Sequence, residues 1–378
     1  MKKYLAALLA ASLCIFPAQA TVTGSPEVDA RAALLMEKET GEILYEYNAH
    51  DKLEPASVTK VMTLLLAMEA IDGGLLSRED TVQVSSRAAS MGGSQVYLKE
   101  GEQMSVHDLL KAITVASGND ASVALAEHLA GSESAFVERM NQRARELGME
   151  DTTFLNCTGL PAPGHLTSAH DIALMSRELI LNHPSIREYT TIWMDSLRDG
   201  AFQLANTNKL IRFYDGATGL KTGSTDAAGF CISATAERDG MELIAVILKS
   251  TTGDTRTATA KSMLDFGFAN YTVLDAKPAQ ALPPVEVLLG EQEYVQPVLA
   301  QGGRILVEKA QVNAVETSIS LCSDVEAPVA AGQKLGEMRV TIGGEVRQTI
   351  DIVSAHEVKR LTTFGIFQEL LREFFMAG

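Results

Sequence analysis

From Gly229 to Lys249 the chain reads GFCISATAERDGMELIAVILK, and this stretch decides the fold. Two strand-like runs, Gly229 to Ala236 and Met241 to Lys249, flank Arg238-Asp239-Gly240. An Asp-Gly pair tolerates the positive backbone angles that a tight hairpin turn requires. A second hairpin is predicted near the start, where Ala32 to Met36 and Glu42 to Tyr47 flank Glu37-Lys38-Glu39-Thr40-Gly41. Between the two hairpins the apolar spacing turns helical. Helices are predicted from Ser57 through Val61 to Ala70, over Asp108 to Ala116, Ala121 to Ala130 and Ser134 to Leu147, and from the Thr167-Ser168 cap to about Leu181. A closing helix is predicted from Thr255 to Phe266. Hairpin, helices, strands and a last helix, in that order, imply an α/β domain with an antiparallel sheet flanked by helices, not a doubly wound parallel fold.

Past Ala276 the helical spacing stops. Short runs at Val285–Leu289, Val295–Leu299, Arg304–Val307 and Val315–Leu321 read as strands, as do the alternating Met338, Val340, Ile342 and Val346, Ile350, Ile352 on either side of Gly343-Gly344. This gives a catalytic-size domain over 21–275 and a small all-β C-terminal domain over 276–355. In the tail, 356–378, Leu361, Phe364, Phe367, Leu370, Leu371, Phe374 and Phe375 fall on one helical face. Such an amphipathic helix either lies in a membrane surface or docks on its own protein. At the other end, Lys2 and Lys3, the apolar run Tyr4 to Phe16 and Ala18-Gln19-Ala20 make residues 1–20 a secretory signal peptide. The run is short for a membrane anchor, which needs ~20 apolar residues.

The 378 residues are 46% apolar and 21% charged, with a net charge of −16. A packed core is expected, and the acidic balance argues against a nucleic-acid partner. Removing the signal leaves Cys157, Cys231 and Cys322. An odd count excludes a fully paired disulfide framework. We read these cysteines as small buried hydrophobes, although a Cys157–Cys231 bridge stays open.

The chemistry lies in three motifs, each occurring once. Ser57-Val58-Thr59-Lys60 puts an amine one turn from a hydroxyl. Residues three apart in a helix share a face, and a neutral lysine can take the serine proton as the serine attacks. A neutral lysine requires burial or a nearby like charge, and Lys221 is a candidate for that charge. Ser117-Gly118-Asn119 follows, and then Lys221-Thr222-Gly223. No H-E-x-x-H, G-x-S-x-G or glycine-rich phosphate loop is present. No metal or cofactor is therefore implied.

With these motifs in this order, the chain resembles the D-alanyl-D-alanine carboxypeptidases, the low-molecular-mass penicillin-binding proteins of the S-x-x-K serine peptidase class. Ala56-Ser57-Val58-Thr59-Lys60-Val61-Met62-Thr63 and Lys221-Thr222-Gly223-Ser224-Thr225 carry the likeness. The resemblance implies a transpeptidase-like (β-lactamase-like) domain followed by a β-rich domain. It implies Ser57 as nucleophile, Lys60 as base and Ser117 as proton relay. Asn119 would hold the substrate backbone. Lys221 and Thr222 would begin a strand along which the peptide lies. The N–H groups of Ser57 and Ser224, the latter just after Gly223, would face the oxyanion, and Arg256 would grip the terminal carboxylate. The implied partners are peptidoglycan stem peptides, β-lactams as covalent inhibitors and a membrane surface, at the outer face of the cytoplasmic membrane. The same motifs leave a β-lactamase, a DD-endopeptidase and a non-enzymatic wall-binding protein open. For the lactamase, Glu178 in Glu178-Leu179-Ile180-Leu181-Asn182 superficially suits a deacylating glutamate, but it falls within an amphipathic helix and reads as ordinary helix.

Overall fold

The computed structural model describes residues 24–278 and 280–367. Its centre is a five-stranded antiparallel sheet. In spatial order the strands are Ile43–Tyr47, Ala32–Glu37, Met241–Ser250, Gly229–Arg238 and Ala217–Thr225. Both expected hairpins form. In the deciding one, Arg238 pairs with Met241, so Asp239 and Gly240 alone make the turn, at φ +50° and +77°. Positive angles at both positions are what a type I′ turn needs, and aspartate and glycine tolerate them.

Met241–Ser250 is buried over nearly its whole length because both sheet faces are covered. Ile244, Val246 and Leu248 face the helical layer, whereas Leu243, Ala245 and Ile247 pack on the closing helix Gly253–Asn270. This alternation follows from the two-residue period of a strand. The helical layer contains Val106–Val115, Asn119–Ala130, Glu133–Glu146 and Ala169–Asn182, arranged with Lys60–Asp72 at its heart. Lys60–Asp72 has no polar stripe in its first half, and Lys60 to Leu65 are all buried. A helix apolar all round belongs inside a protein. Hydroxyl caps start several of the helices: Ser85, Ser105, Ser132, Ser168 and Thr252 each accept an N–H three residues on.

After the closing helix, Tyr271–Asp275 pairs antiparallel with Arg304–Glu308. Beyond it lie a four-stranded sheet (Pro297–Leu299, Glu345–Ser354, Lys334–Ile342, Val315–Leu321) and a three-stranded one (Tyr294–Val295, Val285–Leu288, Asp324–Glu326). The run expected as one strand over 295–299 is split between these two sheets. Pro297, which has no N–H to give, opens the second piece. Residues 363–367 are helical, with Phe364 and Phe367 exposed. The rest of the expected amphipathic tail helix, and the signal peptide, lie outside the described residues. Cys157 and Cys231 are buried and unbridged as expected, but Cys322 is exposed.

Candidate active site

The sequence places Ser57 at a helix start; the structure places it in a 3-10 turn, Ala56–Thr59, that leads into Lys60–Asp72. Ala56 stands at φ +48°, unusual for a residue with a Cβ. The sharp bend leaves the Ser57 side chain half-buried, while Lys60 is fully buried. Lys60 Nζ lies 2.9 Å from Ser57 Oγ, 2.7 Å from Asn119 Oδ1 and 2.7 Å from the carbonyl oxygen of Thr158. Burial, the dominant cause, lowers the Lys60 pKa to about 7. Cys157 and Asp120 act in the opposite sense and raise it. Lys221 is held well below the usual lysine range by burial, then by Lys60 and Arg256. Repulsion between the two amines is mutual, so Lys221 works with burial, the larger cause, to keep Lys60 neutral.

Ser117 and Asn119 sit where Val106–Val115 ends and Asn119–Ala130 begins. Ser117 has φ +61°, is 4% exposed, and its Oγ has no hydrogen-bond partner among the described residues. Asn119 is tied into the protein by its side chain. Its Oδ1 accepts from Lys60 and its Nδ2 donates to the carbonyl of Gly92 at 2.7 Å, so both ends of the amide are held by the protein.

Lys221, Thr222 and Gly223 occupy the middle of the edge strand Ala217–Thr225, rather than its start as expected. Lys221 Nζ donates to the Thr222 carbonyl at 2.9 Å, and the Thr222 hydroxyl meets that of Thr207 at 2.7 Å. A Cβ on Gly223 would stand 2.8 Å from Ser57 N and 2.9 Å from both Pro55 O and Val58 N. Only glycine lets the strand approach the nucleophile turn this closely. Ser224, next along, is exposed. Arg256, in the first turn of the closing helix, is 8% exposed; its Nη1 reaches the Cys231 carbonyl at 3.5 Å and its Nε is unpartnered among the described residues. Ser57, Lys60, Asn119, Lys221, Thr222, Gly223 and Arg256 thus converge around one strand edge. That edge is open among the described residues, where Ala217–Thr225 pairs only with Gly229–Arg238.

Several participants were not singled out from sequence. Thr158 supplies its carbonyl to Lys60. Gly159, at φ +81°, packs so tightly on the Ala56 carbonyl that a Cβ would fall 1.8 Å from it. Asn156-Cys157-Thr158-Gly159 carried an available signal: an asparagine followed three residues later by a glycine is a turn pattern. His165 accepts the Leu155 N–H on Nδ1. Its Nε2–H therefore donates to Thr59 Oγ1, at 2.9 Å. Desolvation lowers its pKa to about 4. Glu178 is ordinary helix as expected. It accepts from Arg143 and Asn182 and touches neither Ser57 nor Lys60. Glu69, Glu178 and His183 approach one another at ligand-like spacing, but Arg143 bridges the two glutamates and His183 pairs with Asp72.

A family model described as D-alanyl-D-alanine carboxypeptidase matches residues 19–252. The chain belongs to that family. A second model, the C-terminal domain of penicillin-binding protein 5, matches residues 276–360. The D-alanyl-D-alanine carboxypeptidase DacF of Bacillus subtilis is 42% identical over 337 residues, 88% of this chain and 86% of the relative. DacC of Escherichia coli is 33% identical, covering 93% and 89%. Among solved structures, penicillin-binding protein 5 from Haemophilus influenzae superposes with a TM-score of 0.78 at 28% identity, over 89% of this chain and 99% of that one. Penicillin-binding protein D2 from Listeria monocytogenes in its ampicillin-bound form matches with a TM-score of 0.59 at 35% identity, over 64% and 98%. Among D-alanyl-D-alanine carboxypeptidases, then, this chain carries both the serine peptidase domain and the β-rich one, as the motifs led us to expect.

Proposed function

We propose that the cleft beside Ala217–Thr225 performs serine-type D-alanyl-D-alanine carboxypeptidase chemistry on peptidoglycan pentapeptides. The chain is a serine peptidase whose acyl-enzyme penicillins trap. The observation that carries the reading is the buried Lys60 amine, held near neutrality, 2.9 Å from Ser57 Oγ. Ser57 Oγ attacks the carbonyl carbon of the penultimate D-alanine while its proton passes to Lys60. The oxyanion forms against the N–H groups of Ser57 and Ser224. As the carbon–nitrogen bond breaks, the leaving amine takes a proton relayed from Lys60 through Ser117, whose unpartnered hydroxyl suits a transient role. D-alanine departs, and water then hydrolyses the ester on Ser57, with Lys60 again as base.

The peptide lies as an added strand on the open edge at Lys221, Thr222 and Gly223. Its terminal carboxylate is drawn to Arg256, whose guanidinium can bind it through two hydrogen bonds. Asn119 acts by holding Lys60 and stays within reach of the substrate backbone. Residues 21–275 form the catalytic unit and 276–355 a β-rich unit. The signal-like residues 1–20 and the apolar face of 356–378 support export and attachment to the outer face of the cytoplasmic membrane. Mass spectrometry of a defined pentapeptide incubated with the protein tests the central claim. We expect loss of one alanine with the native chain and none with Ser57→Ala. A Ser57→Ala variant that still releases alanine would remove Ser57 from the mechanism.

A further inference from the structure

A neutral lysine that acts as a base needs more than deprotonation; its lone pair must point at the serine. A neutral amine has two hydrogens and one lone pair. Of the three atoms around Lys60 Nζ, two are carbonyl oxygens, Asn119 Oδ1 and Thr158 O, each at 2.7 Å, and such oxygens only accept. The third is the Ser57 hydroxyl, which can donate. With both hydrogens committed to the carbonyls, the lone pair is left facing Ser57.

Thr63 Oγ1 donates to the neighbouring Cys157 carbonyl at 2.8 Å, and one side chain, Asn156, ties the turn that carries the Thr158 carbonyl. Asn156 Oδ1 accepts from Thr158 N at 3.2 Å, Thr158 Oγ1 at 3.0 Å and Gly159 N at 2.7 Å. Its Nδ2 donates to Leu160 O at 2.9 Å. The flank is anchored separately: Asn141 brackets Phe154 from both sides, and His165 takes the Leu155 N–H. Asn156 therefore folds only the final turn of this loop, the part that touches the base and the nucleophile bend.

We propose that Asn156 is a positioning residue for acylation: by folding the 156–160 turn it aims the Thr158 carbonyl at Lys60 and so fixes the direction of the Lys60 lone pair. This rests on Lys60 being the base. The test is the rate at which a fluorescent penicillin acylates the full chain, followed from pH 5 to 9, together with the final labelling stoichiometry. Asn156→Ala should react about 10–100-fold more slowly, the scale of an ångström-sized misplacement, and still label to completion. A carbonyl acceptor favours the protonated amine. Its loss should also move the acid limb of the profile to lower pH. Asn156→Asp keeps the oxygen that accepts all three hydrogen bonds but loses the donor to Leu160 O, so its rate should fall between those of the native and alanine chains.

Reduced stoichiometry with an unchanged rate and limb would mean that Asn156 serves folding alone, and would overturn the proposal. So would an alanine variant with native rate and limb, or an aspartate variant as slow as alanine. If the native profile has no acid limb and Lys60→Arg acylates normally, the lysine-base reading fails instead, a result distinct from all of these.

Discussion

Replacing Gly223 by alanine is the most direct probe of how the site is assembled. The new methyl carbon would stand 2.8 Å from Ser57 N, 2.9 Å from Pro55 O and 2.9 Å from Val58 N. All three neighbours are backbone atoms, so no side chain can rotate out of the way. Ordinary carbon contacts begin near ~3.5 Å. The edge strand and the nucleophile turn must therefore separate by roughly 0.6 Å. The strain of such overpacking is about 1–3 kcal/mol, and for a domain of this size each kcal/mol lowers Tm by about 2–4 °C. The larger effect falls on chemistry, because the separation moves Ser57 relative to Lys221, Thr222 and the Ser224 N–H together. A shift of this scale costs about 10–100-fold in rate. Stopped-flow acylation by a chromogenic cephalosporin, run beside a thermal melt, measures both. Gly223→Ala should acylate 10–100-fold more slowly while remaining folded at assay temperature. Acylation at the native rate with an unchanged melt would refute the claim that this glycine sets the distance between strand and turn.

Other outcomes follow from the same geometry. Lys60→Arg should lower acylation by about 10²–10⁴-fold, the range of a general base, because arginine stays protonated; native acylation would exclude a lysine base. Native acylation should rise as pH increases through about 7, where Lys60 loses its proton; a flat profile from pH 5 to 9 counts against that assignment. His165 has its folded pKa lowered to about 4 from 6.5, so the unfolded chain takes the proton first. The stability it contributes is complete above pH 6.5 and falls away as pH drops toward 4, by about 3 kcal/mol at most. Urea titrations should show that slope in the native chain and a shallower one in His165→Gln, and identical slopes would dismiss the histidine. Val358 is buried and the Leu361 N–H is bonded to Leu289 O, so a stop codon belongs after Thr362. That truncation should move the protein from membrane to soluble fractions, and an unaltered distribution would favour a helix docked on its own protein.

Much of this was legible in the chain because local rules and the global fold agree. Asp239-Gly240 fixes one hairpin by turn chemistry alone, and the strand period on either side then sorts Ile244 and Val246 from Leu243 and Ala245. The three motifs were legible because each combines reactive side chains at a short spacing. What escaped was whatever depends on distant contact. Thr158 acts through its backbone, which carries no residue signature. His165 is recruited by Thr59, more than a hundred residues earlier in the chain, and no periodicity announces such a pair. Which of burial and a like charge dominates the Lys60 shift could not be read for a similar reason. Sequence shows which charges exist but not how completely a helix is enclosed, and enclosure proved the dominant cause. The Met194–Leu197 and Phe202–Ala205 hairpin was missed as well, since its residues are half-exposed and alternate weakly.

Ala32–Glu37 lies inside the sheet, with Ala32 opposite Leu248 and Glu37 opposite Leu243. Nearly the whole peptidase unit must be synthesised before that strand meets its inner neighbour. Closing so long a loop is entropically slow, and pairings of this kind delay folding. A growing chain that stops short of Met241 has no partner for the inner edge of this largely apolar strand and cannot complete its core. Emergence from the ribosome and acquisition of shape are thereby separated in time, and during that interval the polypeptide stays threadable.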